Sequence, residues 1–191
     1  MNTLAYTDAV LASVCLGFAF TLPKRVPAIR FGLALIGSAA FFGVLRFSEL
    51  LPLPPLHQFL SMASANAGLP LLAIAVAWPK SPVSSQAHFT WLFVVSAIAV
   101  GLLMTVAAGF KAWADICAAF TVLLLLTHSV RRKEWLALAA TLCLIATLLV
   151  FLSRFTAFGL QEADFLHIGL ALFTGLLAIW SKSAAAQGSK G

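Results

Sequence analysis

The chain has 191 residues, 62% of them in the apolar set AVILMFWYC and only 9% charged, with a mean hydropathy of +1.02 and a net charge of +6. A water-soluble domain carries about 25% charged residues, so this composition excludes an ordinary globule. The apolar content and the three cysteines also exclude a disordered, collagenous or disulfide-built chain, which leaves an all-α polytopic membrane bundle.

A bilayer core asks for about 20 apolar residues per helix. On that ruler seven spans follow in chain order: 7–22, 28–47, 56–78, 88–110, 112–130, 134–152 and 163–180. The first is short and is expected to stand upright or where the bilayer thins. No basic stretch precedes it, and Asp8 lies before its apolar run, so no cleavable leader is expected and the first helix targets the chain itself. Pro23 and Pro27 divide the first two spans, Pro52, Pro54 and Pro55 the next pair, and Pro79 and Pro82 the third and fourth. Only residues 109–111 separate the fourth and fifth, which predicts a tight antiparallel hairpin. Residues 181–191 are small, polar and weakly basic and are expected to form a disordered tail. Trp78, Trp135 and Trp180 stand at span ends, where aromatic belts form. The pairs Ser13/Gly17, Ala34/Ser38, Ala39/Gly43, Ala97/Gly101 and Ala171/Gly175 predict close helix packing. Cys15, Cys117 and Cys143 all lie within spans and read as small buried hydrophobes.

Orientation follows from the basic residues. Lys24, Arg25, Arg30, Lys80, Arg131, Arg132, Lys133, Lys182 and Lys190 fall on one side, against Arg46, Lys111 and Arg154 on the other. The positive-inside rule then places the N-terminus outside and the C-terminus in the cytoplasm, and the compact loops suit a bacterial inner membrane. Five of the six acids, Asp8, Glu49, Asp115, Glu162 and Asp164, fall on the outer side; Glu134 is the exception. No basic run exceeds Arg131-Arg132-Lys133, so nucleic acid is not an expected partner; the lipid bilayer is.

Landmarks recur in order along the two halves. Asp8 and Asp115 open helices one and five, and Lys24-Arg25 and Arg131-Arg132 follow them. Arg46-Phe47 matches Arg154-Phe155, and His57 matches His167. This suggests a 3+1+3 duplication with helix four as the linker, whose halves are related by an axis along the membrane normal.

Ionisable residues at membrane depth mark sites by default. Those on the outer side are His57, His167, Asp164, Asp8, Asp115, Arg46, Arg154 and Glu49. Asp164 and His167, three apart, share a helical face, while His57, Ser61, Ser64 and Gly68 form one small polar stripe. Asn66 lies deeper and needs a partner. Local readings compete: acids favoured by helix N-termini, a Lys111–Asp115 pair, and an interfacial Arg46–Glu49 pair. Taken together, the eight residues predict an outward-facing polar pocket between the halves. Its ligand would be a small anionic or amphiphilic molecule, and the protein a carrier or binding protein rather than an enzyme.

Two His with Asp164 are also ligand types for zinc or iron, although no His-Glu-x-x-His motif is present. Seven helices, N-out and C-in, with polar groups on helices one to three and seven, resemble the alkaline-ceramidase and adiponectin-receptor-like membrane hydrolases. Those hold zinc through a His near helix two and a His-xxx-His pair in the last helix. The resemblance implies His57 and His167 as ligands, with Asp164 substituting because Ala171 stands four after His167. A zinc-bound water would then attack a lipid amide or ester. One outer His pair with an inner pair, His88 and His128, is similar to di-haem membrane cytochromes. The 3+1+3 layout is similar to small sugar transporters and opsins, without a Pro-Gln dipeptide or a retinal lysine in helix seven.

Overall fold

The computed structural model describes residues 2–51 and 53–187. It is all-helical, and among the described residues extended pairing is limited to one isolated bridge, Ala157 with Leu160. Seven helices are long and apolar enough to cross a bilayer: α1 (Thr3–Thr21), α2 (Pro27–Phe47), α3 (Pro54–Ala77), α4 (Ala87–Ala107), α5 (Trp113–Arg132), α6 (Trp135–Leu152) and α7 (Glu162–Gln187). Seven such helices point to a multi-pass membrane protein.

Local chemistry sets their ends. Pro27 and Pro54 occupy the first turns of α2 and α3, where a missing N–H costs nothing. Lys133, at φ 57°, terminates α5 in the left-handed region. The Asn2 side chain accepts the Leu4 amide at 3.3 Å, starting α1 at Thr3. Its 19 residues therefore span about 28 Å, so α1 is full length rather than short. At the other terminus α7 continues to Gln187, so residues 181–187 are helical where a disordered tail was expected. Ser181 is buried there, and the Lys182 ammonium lies 4.9 Å from the Phe18 ring centroid of α1. Residues 188–191, the rest of that tail, lie outside the described residues.

Six helices close a ring in the order α1, α2, α3, α5, α6, α7 and back to α1. Helix α4 stands outside it, against α3 and α2. The expected α4–α5 hairpin does not form, because α3 lies between the two helices and packs on both. Close approach explains this. Within α3, residues Ser64–Gly68 form a π-helical turn that carries Asn66, and the Asn66 amide rests where a side chain at Gly101 of α4 would have to stand. Elsewhere in the bundle Gly43 of α2 admits the Asp8 carboxylate, and Gly169 of α7 admits Thr147. Gly17 meets nothing within 4 Å, so of the small-residue pairs Ser13/Gly17 is no contact at its glycine.

Toward the basic end, the ring is filled solid by Leu33, Leu72, Val76, Leu125, Leu144, Phe173 and Leu177, all buried. Outward-facing apolar residues such as Phe20, Leu103, Val106, Leu123 and Leu149 are exposed, as a lipid-facing surface requires.

Candidate functional site

At the end rich in acids and histidines the ring does not fill. A cavity of about 410 Å³ remains, walled by all six ring helices and by no residue of α4. Asp8 and Leu11 come from α1, Ile36 and Ala39 from α2, and His57, Ser61 and Ser64 from α3. Helix α5 contributes Ala114, Asp115, Ala118 and Ala119; α6 brings Leu148 and Phe151; α7 brings Leu166, His167 and Leu170. The α5 alanines leave the room, since larger residues at that spacing would close the ring.

The site is built on a network between α1 and α7. Asp164, fully buried in the first turn of α7, accepts hydrogen bonds from Thr3 Oγ1 (3.1 Å), Thr7 Oγ1 (3.1 Å) and the Gln161 amide (2.9 Å). Thr7 Oγ1 also lies 3.4 Å from His167 Nδ1, and that nitrogen lies 3.3 Å from Asp8 Oδ1. With Asp8 ionised and the threonine hydroxyl hydrogen given to Asp164, a neutral His167 carries its proton on Nδ1 and leaves Nε2 as an acceptor. The second oxygen of Asp8 is buried with no hydrogen-bond partner.

Between α2 and α3 the logic reverses. An Arg46 guanidinium nitrogen stands 3.2 Å from His57 Nδ1. Guanidinium can only donate, so that nitrogen is the acceptor and a neutral His57 carries its proton on Nε2. The Arg46 guanidinium also lies 5.1 Å from the centroid of the Phe47 ring, which in turn packs edge-on to His57. One histidine thus holds a donor and the other an acceptor at its second nitrogen. Ser61 donates to the His57 carbonyl (2.8 Å), and Ser64 lies 2.9 Å from the Leu35 carbonyl, so both hydroxyls are tied to backbone rather than to a base.

Of the eight expected site residues, Asp8, His57, Asp115 and His167 line the cavity. Asp164 and Arg46 stand behind it, each holding a histidine in place, Asp164 through Thr7 and Arg46 directly. Arg154 and Glu49 do not join them: both are exposed, at left-handed turn positions with φ 52° and 61°. Among the described residues the carboxylate–imidazole contact that forms is Asp8–His167, and neither a Lys111–Asp115 nor an Arg46–Glu49 ion pair is made. The polar stripe of α3 is kept at His57, Ser61 and Ser64, whereas Gly68 packs against Gly32 and Ile36 of α2. Asn66, expected to find a partner, is buried with neither amide atom hydrogen-bonded.

For zinc the three expected ligands are poorly placed. Asp164 is occupied by three donors, and His57 Nδ1 faces a guanidinium. Among the described residues, no group of three His, Cys, Asp or Glu is arranged to hold a metal ion. The inner histidines lie apart from the cavity, His88 against Phe89 and His128 against Trp78.

Sequence reading missed Thr3 and Thr7. Spaced i,i+4 beside Asp8, they carried a usable signal, but a span drawn from residue 7 treats Thr7 as a boundary and leaves Thr3 outside the helix. Comparison with protein-family models, with curated proteins and with solved structures finds no match to this chain.

Proposed function

We propose that this protein is a small integral membrane carrier or binding protein whose ligand enters the cavity at the acid-and-histidine end. The observation that carries this reading is the cavity itself. It is walled by six helices, apolar over most of its surface, polar at Asp8, His57, Asp115 and His167, and floored by a packed core. Such a lining suits an amphiphile, with an apolar body against Leu11, Ile36, Leu148 and Leu170 and a head among the polar groups. Because the cavity wall carries two carboxylates while Arg154 lies elsewhere and Arg46 is engaged by His57, an uncharged head with a hydroxyl or amide suits it better than an anion. A donor Nε2 on His57 and an acceptor Nε2 on His167 answer both halves of such a group.

The same arrangement supports a duplicated architecture. Helices α1–α3 and α5–α7 supply the ring in equal parts, and α4, outside it, has the place of a linker. With the basic ends in the cytoplasm, the cavity opens outward, in a bacterial inner membrane or its equivalent.

Cysteine labelling in intact cells tests this. In a background with Cys15, Cys117 and Cys143 replaced by Ala, Ser61→Cys and Ala118→Cys should react with a membrane-impermeant maleimide added outside. Added amphiphilic alcohols or amides should slow that reaction. No labelling at either position, or labelling only after permeabilisation, overturns the outward cavity.

A further inference from the structure

The cavity wall is closed on one side and open on the other. Its lining residues from α1 and α2 are all buried, and none from α3 or α7 is exposed. Among the described residues the exposed ones that line it are Asp115 and Ala119 of α5 and Phe151 and Leu152 of α6.

Packing accounts for the asymmetry. From Trp113 to Phe120 α5 has no buried residue, and its first is Thr121. In the facing half of α3, Pro54–Ala63, only Ala63 is buried. That half forms no packed seam with α5; the seam between the two helices is made by Ser64–Ala77, toward the basic end. The pair is thus joined at one end and parted at the other, beside the cavity.

Depth and rim decide what passes there. Ala119 lies about 9 Å along α5 from Trp113, well inside the span rather than in a loop at its end. The large exposed side chains of these segments include Leu56 and Phe59 of α3, Ile116 and Phe120 of α5, and Leu149 and Leu152 of α6. A rim of that composition faces hydrocarbon, where charged side chains are costly.

We propose that the ligand reaches the cavity sideways, from the surrounding lipid, past α5 where it parts from α3. This rests on the cavity being the ligand site, and it narrows the ligand to a membrane-dissolved amphiphile with an alkyl or acyl chain. The polar head enters as far as His57 and His167, while the chain trails through the parting into the leaflet. A cavity of about 410 Å³ therefore need not enclose the whole molecule.

The test uses the full chain with Cys15, Cys117 and Cys143 replaced by Ala and Leu170→Cys on the α7 wall, reconstituted in vesicles of phosphatidylethanolamine and phosphatidylglycerol. Labelling rates are compared for a long-chain N-alkyl maleimide dissolved in the bilayer and a charged maleimide in the water. The lipid-borne reagent should react, and Ala119→Trp should slow it about tenfold, the indole leaving the passage clear for about a tenth of the time. The water-borne rate should be nearly unchanged by Ala119→Trp. Ala119→Ser, and Ala99→Trp on the exposed face of α4 outside the ring, should slow neither reagent, which separates a blocked passage from a folding defect. Labelling by the lipid-borne reagent alone, slowed by Ala119→Trp, makes the parting the sole entry. Labelling by the water-borne reagent alone keeps the cavity and overturns the lateral route. Equal slowing of both reagents by Ala119→Trp, no slowing of either, or equal slowing by Ala99→Trp also overturns it. Labelling by neither reagent overturns the cavity reading and the route together.

Discussion

The two ends of the bundle handle charge in opposite ways. At the cavity end, groups from different helices are paired with one another: Asp164 with Thr3 and Thr7, Asp8 with His167, Arg46 with His57. At the basic end, Lys24, Lys80, Arg131, Arg132 and Lys133 are exposed on turns and helix ends, and the acid among them, Glu134, pairs with an indole. Depth accounts for the difference. Residues such as Asp164 and Asp8 are buried between helices, where an unpartnered polar group is costly, whereas exposed cations can meet water and lipid headgroups. Charges at one end therefore hold helices in register around a cavity, whereas Lys24, Lys80, Arg131, Arg132 and Lys133 at the other face the surroundings.

That contrast can be broken by mutation. Its largest expected consequence is at Asp164: Asp164→Ala strands three donors in the α1–α7 interface and should cost about 3 kcal/mol, read by denaturant unfolding in detergent. Unchanged stability would mean that the network does not hold α1 to α7. Next come the glycines that admit buried polar groups. Gly43→Ala pushes into the Asp8 carboxylate and Gly101→Ala into the Asn66 amide, and each should lose about 2 kcal/mol. Gly17→Ala, with nothing near it, should change stability by no more than about 0.5 kcal/mol; equal effects at all three positions would show that helix propensity rather than fit decides.

Metal content sharpens the comparison from another side. Protein purified in detergent should hold no stoichiometric zinc or iron, because Asp164 and His57 are already engaged. Near-stoichiometric zinc, removed by both His57→Ala and His167→Ala, would replace the carrier reading with the lipid hydrolase. The smallest effect is expected at the basic end: Arg131→Gln and Lys133→Gln, both exposed, should leave the unfolding midpoint unchanged in phosphate-free detergent. A clear drop would show that these cations support the fold.

Much of the architecture is legible in the sequence. Apolar runs of the right length predict seven spans, and the structure has seven helices long and apolar enough to cross a membrane, with ends displaced by a few residues where caps intervene. At the site, composition and spacing singled out Asp8, His57, Asp115 and His167, which line one cavity. Arg154 and Glu49 carried the same signal and lie in exposed turns, because periodicity reports which face of a helix a residue occupies only while the helix lasts.

The sequence by itself determined a membrane bundle, the number of its spans and the segregation of acids from bases, since these depend on transfer to lipid residue by residue. Tertiary structure alone decided that α4 leaves the ring, that Thr7 joins Asp164 to His167, and that Arg46 turns to His57 rather than to Glu49. Those outcomes hang on which helices approach closely, and close approach depends on small residues meeting across chain distances that no local pattern encodes.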